Sequence, residues 1–528
     1  MFTHDEFEFY WQHWSKLEEA NYTVAKKTSG KEIRKYLKKG YTHFDHRFWF
    51  PERKDEIKLI LQNGLRIKNT FNDKVRWWSF APFLKVLIKT PRYKYQDSND
   101  EYDLETKVRP ISFAAHIDSL IFGFYSFALT KIYEKYLAEN GFSDCVLAYR
   151  SNLSGKCNIQ FSKEIFEEVR RRKTCTAIAL DIKGYFDHID HTILKDKWAK
   201  VIGEKLPEDQ FKLYKALTKY SYVSKPSILK KYGIILKKLN QPPQTLLELI
   251  PGKKDFEKFD RLRLDKLIVS NDKVNKNTKR MAGIPQGTGM SALLSNIYLI
   301  DFDADLNDKA KKEGFLYRRY CDDIIVICDS EKAIELQSYI IKKIQSEYFL
   351  TIQDKKVELT EFRENKVGKI RAFNKKRMLK DNIENVTKEQ EHIYYKSLQY
   401  LGFEFNGQDI FIRTSSLSRY YRKMTGRIIK TVMMAYSPKS NSNKIWKEQM
   451  LHRYTHLGKR NFLKYAYNSS KASYKNSAGE LKEGMDSPAI RNQISRHFQI
   501  FIRTLEAKNM QRFSSKAMAG KATKIKKI

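Results

Sequence analysis

Cysteine is scarce in this 528-residue chain and poorly placed for metal or disulfide chemistry. Its five residues, Cys145, Cys157, Cys175, Cys321 and Cys328, form no C-x-x-C pair and no even framework. A structural zinc module and a disulfide scaffold are therefore disfavoured, and reduced thiols fit best. Long apolar runs are missing too. The longest candidate, "SLIFGFYSFAL" from Ser119 to Leu129, has eleven residues, short of the ~18 that span a bilayer. No internal repeat is evident. The first residues, "MFTHDEFEFY", are acidic and aromatic, so no signal peptide is expected; the cytoplasm is the expected location and no membrane the expected partner. Acidic residues are in the minority, 62 against 100 Lys and Arg, for a formal net charge of +38. Solubility alone needs a net charge of only ~2–8 per small domain. The excess calls for a polyanion, most commonly nucleic acid.

What is present is enough for more than one packed core: 41% of residues are hydrophobic and 13% aromatic, which argues against general disorder. Thr3 and Glu6 have capping-box spacing ahead of Phe7, Trp11, Trp14 and Leu17 at helical period. His43 and His46 lack further N or S ligands nearby and read as packing residues before metal ligands. The polar stretch "QDSNDEYDLET" reads as a loop between strands, and the region after Pro110 as a buried helix. Residues 205–280 are Lys-rich with poor signal and read as an insertion. In "SPAIRNQISRHFQIFIRTLE", Ser487 and Pro488 start a helix with one stripe of Ile490, Ile494, Phe498, Phe501 and Leu505. Residues 501–528 hold eight Lys or Arg against one Glu, a tail expected to be mobile and drawn to phosphate.

The chemistry is expected at "RRYCDDIIVI", Arg318 to Ile327, where Asp322 and Asp323 abut an apolar run. A carboxylate beside a core is costly unless its charge is compensated. Neighbouring side chains on a strand point to opposite faces, so adjacent carboxylates converge only where the strand turns. The stretch therefore reads as a β-hairpin with the pair at its tip; an ordinary exposed turn is the alternative. Asp181 ends another short apolar run, Ala177 to Leu180, and supplies a third carboxylate at the same edge. Three oxygen ligands without His or Cys favour Mg²⁺ over zinc. Two such ions could activate a 3′-hydroxyl and stabilise leaving pyrophosphate.

Four ordered stretches carry a family resemblance. "RRYCDDIIVI" resembles the Y-x-D-D motif of reverse transcriptases and "IALDIKGYFDHID" their motif A. "GIPQGTGMSALLSNIYL" resembles their nucleotide-pocket loop and helix, and "LQYLGFEFNG" their segment at the palm–thumb junction. The likeness covers residues from about 77 to 425. It implies an α+β right-hand polymerase: an N-terminal helical extension over 1–75, fingers and a ferredoxin-like palm over 76–413 with an insertion at 205–280, and a helical thumb with a basic C-terminal region over 414–528.

Carried over by position, Asp181, Asp322 and Asp323 are the metal ligands, with the Ile182 carbonyl a further oxygen. Phe186 stands where an aromatic steric gate excludes a ribose 2′-hydroxyl, core packing being its other reading. Gln286 and Gly287 border the incoming base and template, and Lys107 and Arg109 grip the triphosphate. Lys355 or Lys356, the alignment leaving both open, serves the leaving pyrophosphate. The chain has no paired C-x-x-C motifs of a homing endonuclease module, no RNase H carboxylate set, and neither the "NAxxH" nor the "VTG" signature of retron enzymes. It is most similar to bacterial abortive-infection and defence-associated reverse transcriptases. That similarity implies RNA-directed DNA synthesis from deoxynucleoside triphosphates with Mg²⁺, in antiphage defence with a non-coding RNA template; homo-oligomerisation is left open. Template-independent or protein-primed synthesis, and a non-enzymatic RNA-binding assembly protein retaining the fold, are the alternatives.

Overall fold

The structure, a computed structural model, describes residues 2–20, 22–26, 32–36, 41–68, 75–96, 101–153, 155–236, 243–275, 278–437, 444–476 and 478–525. In a few of these, Lys355 and 515–525 among them, the description covers the backbone only. The first helix, α1 (His4–Glu19), starts on a capping box: Glu6 N–H donates to Thr3 Oγ1 and Thr3 N–H to Glu6 Oε2. Phe7, Trp11 and Trp14 bury against the later helix α2, as the helical period predicts, while Leu17 faces solvent.

A long antiparallel ribbon follows, β1 (Phe83–Gln96) with β2 (Glu101–Phe113). The expected loop at "QDSNDEYDLET" is thus mostly strand: residues 101–106 pair with 91–96, and 97–100 lie outside the described residues. Alternation of Tyr102, Leu104 and Thr106 outweighs the polar residues of this stretch, because a strand exposed over residues 103–106 needs no apolar face. Helix α2 (His116–Glu139) is buried nearly all round, as expected after Pro110. Helix α3 (Asn158–Arg172) then leads to β3 (Cys175–Asp181).

Residues 205–280 do not loop out alone. They contribute β4 (Ser221–Ser224), parallel to the root of β1, and β5 (Ile268–Ser270), which extends the sheet in the order β2-β1-β4-β5. Next come α4 (Gly289–Tyr298), α5 (Ile300–Glu313), β6 (Leu316–Tyr320), β7 (Asp323–Cys328), α6 (Ala333–Glu347), β8 (Glu358–Glu364) and β9 (Ile370–Asn374). Strands β6-β7-β3-β8-β9 form one antiparallel sheet. Its two faces feed different cores: Ile324 and Val326 pack with α2 and α4, Ile325 and Ile327 with α3 and the C-terminal helices. Burial on both faces is why this strand is an unbroken apolar run.

"LQYLGFEFNGQDIFIR" makes a small sheet of β10 (Leu398–Tyr400), β11 (Phe403–Phe405) and β12 (Ile410–Ile412), after which α7 (Thr414–Ala435) begins the C-terminal helices. Ser487 caps α8 (Pro488–Ile494) as expected, but the stripe is divided: a break precedes α9 (His497–Ile525), and Phe498 is exposed while Ile490, Ile494, Phe501 and Leu505 are buried. The tail is helical to Ile525. His43 is a core residue, its Nε2 3.1 Å from Phe113 O. All five cysteines are free thiols, and no described helix is long and apolar enough to cross a membrane.

Candidate active site

Strands β6 and β7 pair down to Tyr320 opposite Asp323, which leaves Cys321 and Asp322 as a two-residue turn. Cys321 has φ +59°, the positive value such a tight hairpin requires at its first central position. On its other side β7 lies against β3 with Asp323 directly opposite Asp181. Directly opposed residues share a sheet face, so these two carboxylates are neighbours. Asp322, in the turn, escapes the alternation that would send it to the far side. Its carbonyl accepts from Ile182 N–H at 3.1 Å, which closes the turn onto the end of β3.

Burial and the neighbouring acids together raise the proton affinity of Asp322 and Asp323. Burial, then Asp322, then Asp181 push Asp323 up to about 7, against the lowering effect of Lys356 and Arg413. Asp322 is raised as well, mainly by burial, with Asp181 adding to it. Burial leads in both and the like charges add to it, so the site is short of compensating charge. Lys356 supplies part of it, with Nζ 2.6 Å from Asp181 Oδ1. Among the described residues no three His, Cys, Asp or Glu side chains stand already arranged as a metal cage. The donor set is nevertheless all carboxylate oxygen and short of positive charge, which suits a hard divalent cation.

Main-chain bonds tie further segments to this centre. Gln353 N–H donates to Asp181 O at 3.0 Å and Lys183 N–H to Thr351 O at 2.8 Å, so the turn carrying Lys356 is sewn to β3. Gln286 O accepts from Ser112 N–H at 2.8 Å, joining its loop to the root of β2, the strand that bears Lys107 and Arg109 on one face. Gly287 has φ +129°, and a Cβ there would stand 2.8 Å from Ser112 O, so only glycine allows this approach. Phe186 O accepts from Ile284 N–H at 2.9 Å, and its ring is half-buried against the core. Phe186, Gln286 and Gly287 thus share one loop cluster with the end of β2. Arg109 is exposed on the ribbon, and the Lys355 side chain lies outside the described residues. Ile182 is buried beside the acids and bridges Ile352.

Residues 248–405 match the reverse transcriptase (RNA-dependent DNA polymerase) family. This chain carries a reverse transcriptase domain. The matched span takes in Gln286, Gly287, Asp322, Asp323, Lys355 and Lys356; Lys107, Arg109, Asp181, Ile182 and Phe186 precede it. No curated protein matches the chain. Solved structures similar to it include apo telomerase from Candida tropicalis truncated from its C-terminal domain, at 10% identity and a TM-score of 0.34, covering 75% of this chain and 65% of that one. Telomerase from Candida albicans with a TWJ fragment of telomeric RNA gives 10% identity and a TM-score of 0.34, covering 93% and 62%. This chain spans less than two thirds of the length of either.

Sequence reasoning about the reverse transcriptase domain missed its buried support. Arg319 and Asp303 are wholly buried and form a two-point ion pair, Nε to Oδ1 at 2.7 Å and Nη2 to Oδ2 at 2.5 Å. The same guanidinium donates to Cys321 O at 3.0 Å and so holds the tip from beneath. In the strand Arg319 and Tyr317 are buried on one face, while Leu316, Arg318 and Tyr320 are half-buried on the other. Arg413, at the start of α7, is the second omission: its N–H donates to Gly402 O at 2.9 Å, and its charge reaches Asp323.

Proposed function

We propose that the chain is an RNA-directed DNA polymerase in which Asp181, Asp322 and Asp323 hold two Mg²⁺ ions. The observation that carries this reading is the cross-strand pairing of Asp181 with Asp323 beside a turn carrying Asp322. Ions held there would lower the pKa of an attacking 3′-hydroxyl and offset charge on leaving pyrophosphate. The chain's own groups bind and orient. Lys107 and Arg109 on β2 meet the triphosphate, Gln286 and Gly287 border the base, and the Ile182 carbonyl adds an oxygen at the metals. Phe186 fills the space of a 2′-hydroxyl and so favours deoxynucleotides. Lys356, which is ion-paired to Asp181, meets pyrophosphate oxygens, with Lys355 beside it in sequence.

The layout that goes with this assigns the β1–β2 ribbon to the fingers, the five-stranded sheet to the palm, and α7 onward to the thumb and basic C-terminal region, with residues 1–75 as an N-terminal extension. The net charge of +38 supports an RNA–DNA hybrid held mainly through phosphates. The resemblance to defence-associated enzymes supports a cytoplasmic antiphage role with a non-coding RNA. The test is primer extension on RNA by the wild type and by Asp322→Asn with Asp323→Asn, with sequencing of RNA and DNA recovered from cells. Templated DNA is expected from the wild type alone; equal synthesis by the double variant rules the assignment out.

A further inference from the structure

Tyr149 has no part in the roles assigned above, yet its surroundings are elaborately built. Its backbone is left-handed, φ +58°, a conformation a bulky aromatic keeps only when neighbours enforce it. On one side Asn296 Nδ2 donates to Ala148 O at 2.7 Å. On the other, the buried Arg150 guanidinium is clamped to Glu134 at 2.5 Å and donates to Val146 O at 2.9 Å. The segment also runs along β6, with Leu147 N–H on Arg319 O at 2.9 Å and Arg319 N–H on Cys145 O at 2.8 Å.

This bracing delivers the phenol to the hairpin tip. The bridge of Val146 to Arg319 sets the segment alongside the last residues of β6, and Cys321 and Asp322 both act electrostatically on the phenol, while the residue stays 47% exposed. A large ring is therefore held half in solvent at the carboxylates. It stands at the β6 edge, two strands from β3, whereas Phe186 and the 284–287 loop follow β3. In-line phosphoryl transfer places the attacking and leaving oxygens on opposite sides of phosphorus. With the incoming nucleotide on the β3 side, the ring on the β6 side faces the strand that attacks.

We propose that Tyr149 is a substrate-contacting residue whose ring stacks on the 3′-terminal nucleotide of the strand being extended. The proposal rests on the polymerase reading. The main-chain bonds to β6 fix the segment that carries the ring beside the turn, so the terminal sugar is presented where the carboxylates are.

The experiment uses the full-length chain and a DNA primer annealed to RNA, ending in 2-aminopurine and lacking its 3′-hydroxyl so that no chemistry follows. Tyr149→Gly removes the ring while suiting the left-handed backbone, so folding should be kept; Tyr149→Phe keeps the ring. Wild type and Y149F should both quench the terminal fluorophore. Y149G should lose the quench and bind the hybrid about tenfold more weakly, as deletion of one base–aromatic stack does. With an extendable primer, KM for the hybrid should rise in Y149G with KM for the nucleotide little changed. If Y149G matches wild type in quench and affinity while wild type extends primers, the proposal alone is overturned. If wild type extends nothing, the polymerase reading falls and takes the proposal with it.

Discussion

Replacing Arg319 by Met should damage the hairpin tip through the core rather than through the reacting groups. Arg319 and Asp303 both have fully buried side chains and are bonded at 2.7 and 2.5 Å. Removing one partner of such a pair leaves an uncompensated buried charge and costs about 3–5 kcal/mol. Two further acceptors lose their donor, Asn296 Oδ1 at 3.3 Å and Cys321 O at 3.0 Å. The Cys321 carbonyl is the one that matters for the site, because it belongs to the turn that carries Asp322. Urea unfolding should show the loss as a lower midpoint at unchanged slope. Nucleotide incorporation by the surviving folded fraction should fall as well, since the turn has lost its support. Removing the stranded groups together, Arg319→Met with Asp303→Leu and Tyr317→Phe, should recover most of the stability, because Tyr317 OH otherwise loses its acceptor, Asp303 Oδ1 at 2.6 Å, and apolar replacements of a buried pair are often neutral. Incorporation should stay impaired in the triple variant. A single variant within about 1 kcal/mol of wild type, or a triple variant that regains full incorporation, would refute the view that this guanidinium holds the tip.

Gly287→Ala should cost about 1–3 kcal/mol, because its Cβ meets Ser112 O at 2.8 Å and Ile111 Cγ2 at 2.9 Å; KM for the nucleotide should rise as the root of β2 is pushed away. Phe186→Ala should raise incorporation of ribonucleotides relative to deoxynucleotides in paired assays; an unchanged ratio would return Phe186 to a packing role. Lys356→Gln removes the cation nearest Asp181, so Mn²⁺ binding read by electron paramagnetic resonance should tighten by about 0.5–1 kcal/mol, the value of a partly exposed pair. His43 is buried and held down to about 4 from 6.5, chiefly by burial. Its folded state takes the proton less readily than the unfolded chain, so stability is complete above pH 6.5 and is lost as pH falls towards 4, by up to about 3 kcal/mol. Asp45, whose pKa is lowered despite burial by its bonds to His116, works in the same direction; His43→Gln should flatten the melting temperature against pH across that window.

The strands that carry the acids are legible because both ends are marked. "AIAL" and "IIVI" are buried on both faces, and each meets its acid where the sheet ends. The capping box at Thr3 and the cap at Ser487 are legible because their hydrogen bonds are local. The ribbon is not, since its described residues 87–91 and 103–109 lie largely exposed rather than against a core, and periodicity then says little. Nor can sequence spacing reveal that 205–280 adds strands to the ribbon's sheet, because the parallel pairing of Phe83–Lys85 with Tyr222–Ser224 joins segments far apart in the chain. Arg319 illustrates the same limit within the site: its partner Asp303 lies on α5, and only the folded chain shows that a residue next to the motif is a wholly buried cation.

The β1–β2 ribbon pairs through thirteen positions, yet only Phe83–Lys85 at its root also bond to β4. It is a cantilever. Lys107 lies six residues from the end of β2, roughly 20 Å out at a strand's rise per residue, whereas Ser112 sits at the fixed end, bonded to Gln286. Bending of the arm therefore moves the two cations far more than it moves the loop at its base. Stiffness of a two-stranded lever, set by its cross-strand pairs, becomes a quantity that evolution can tune without altering Lys107 or Arg109.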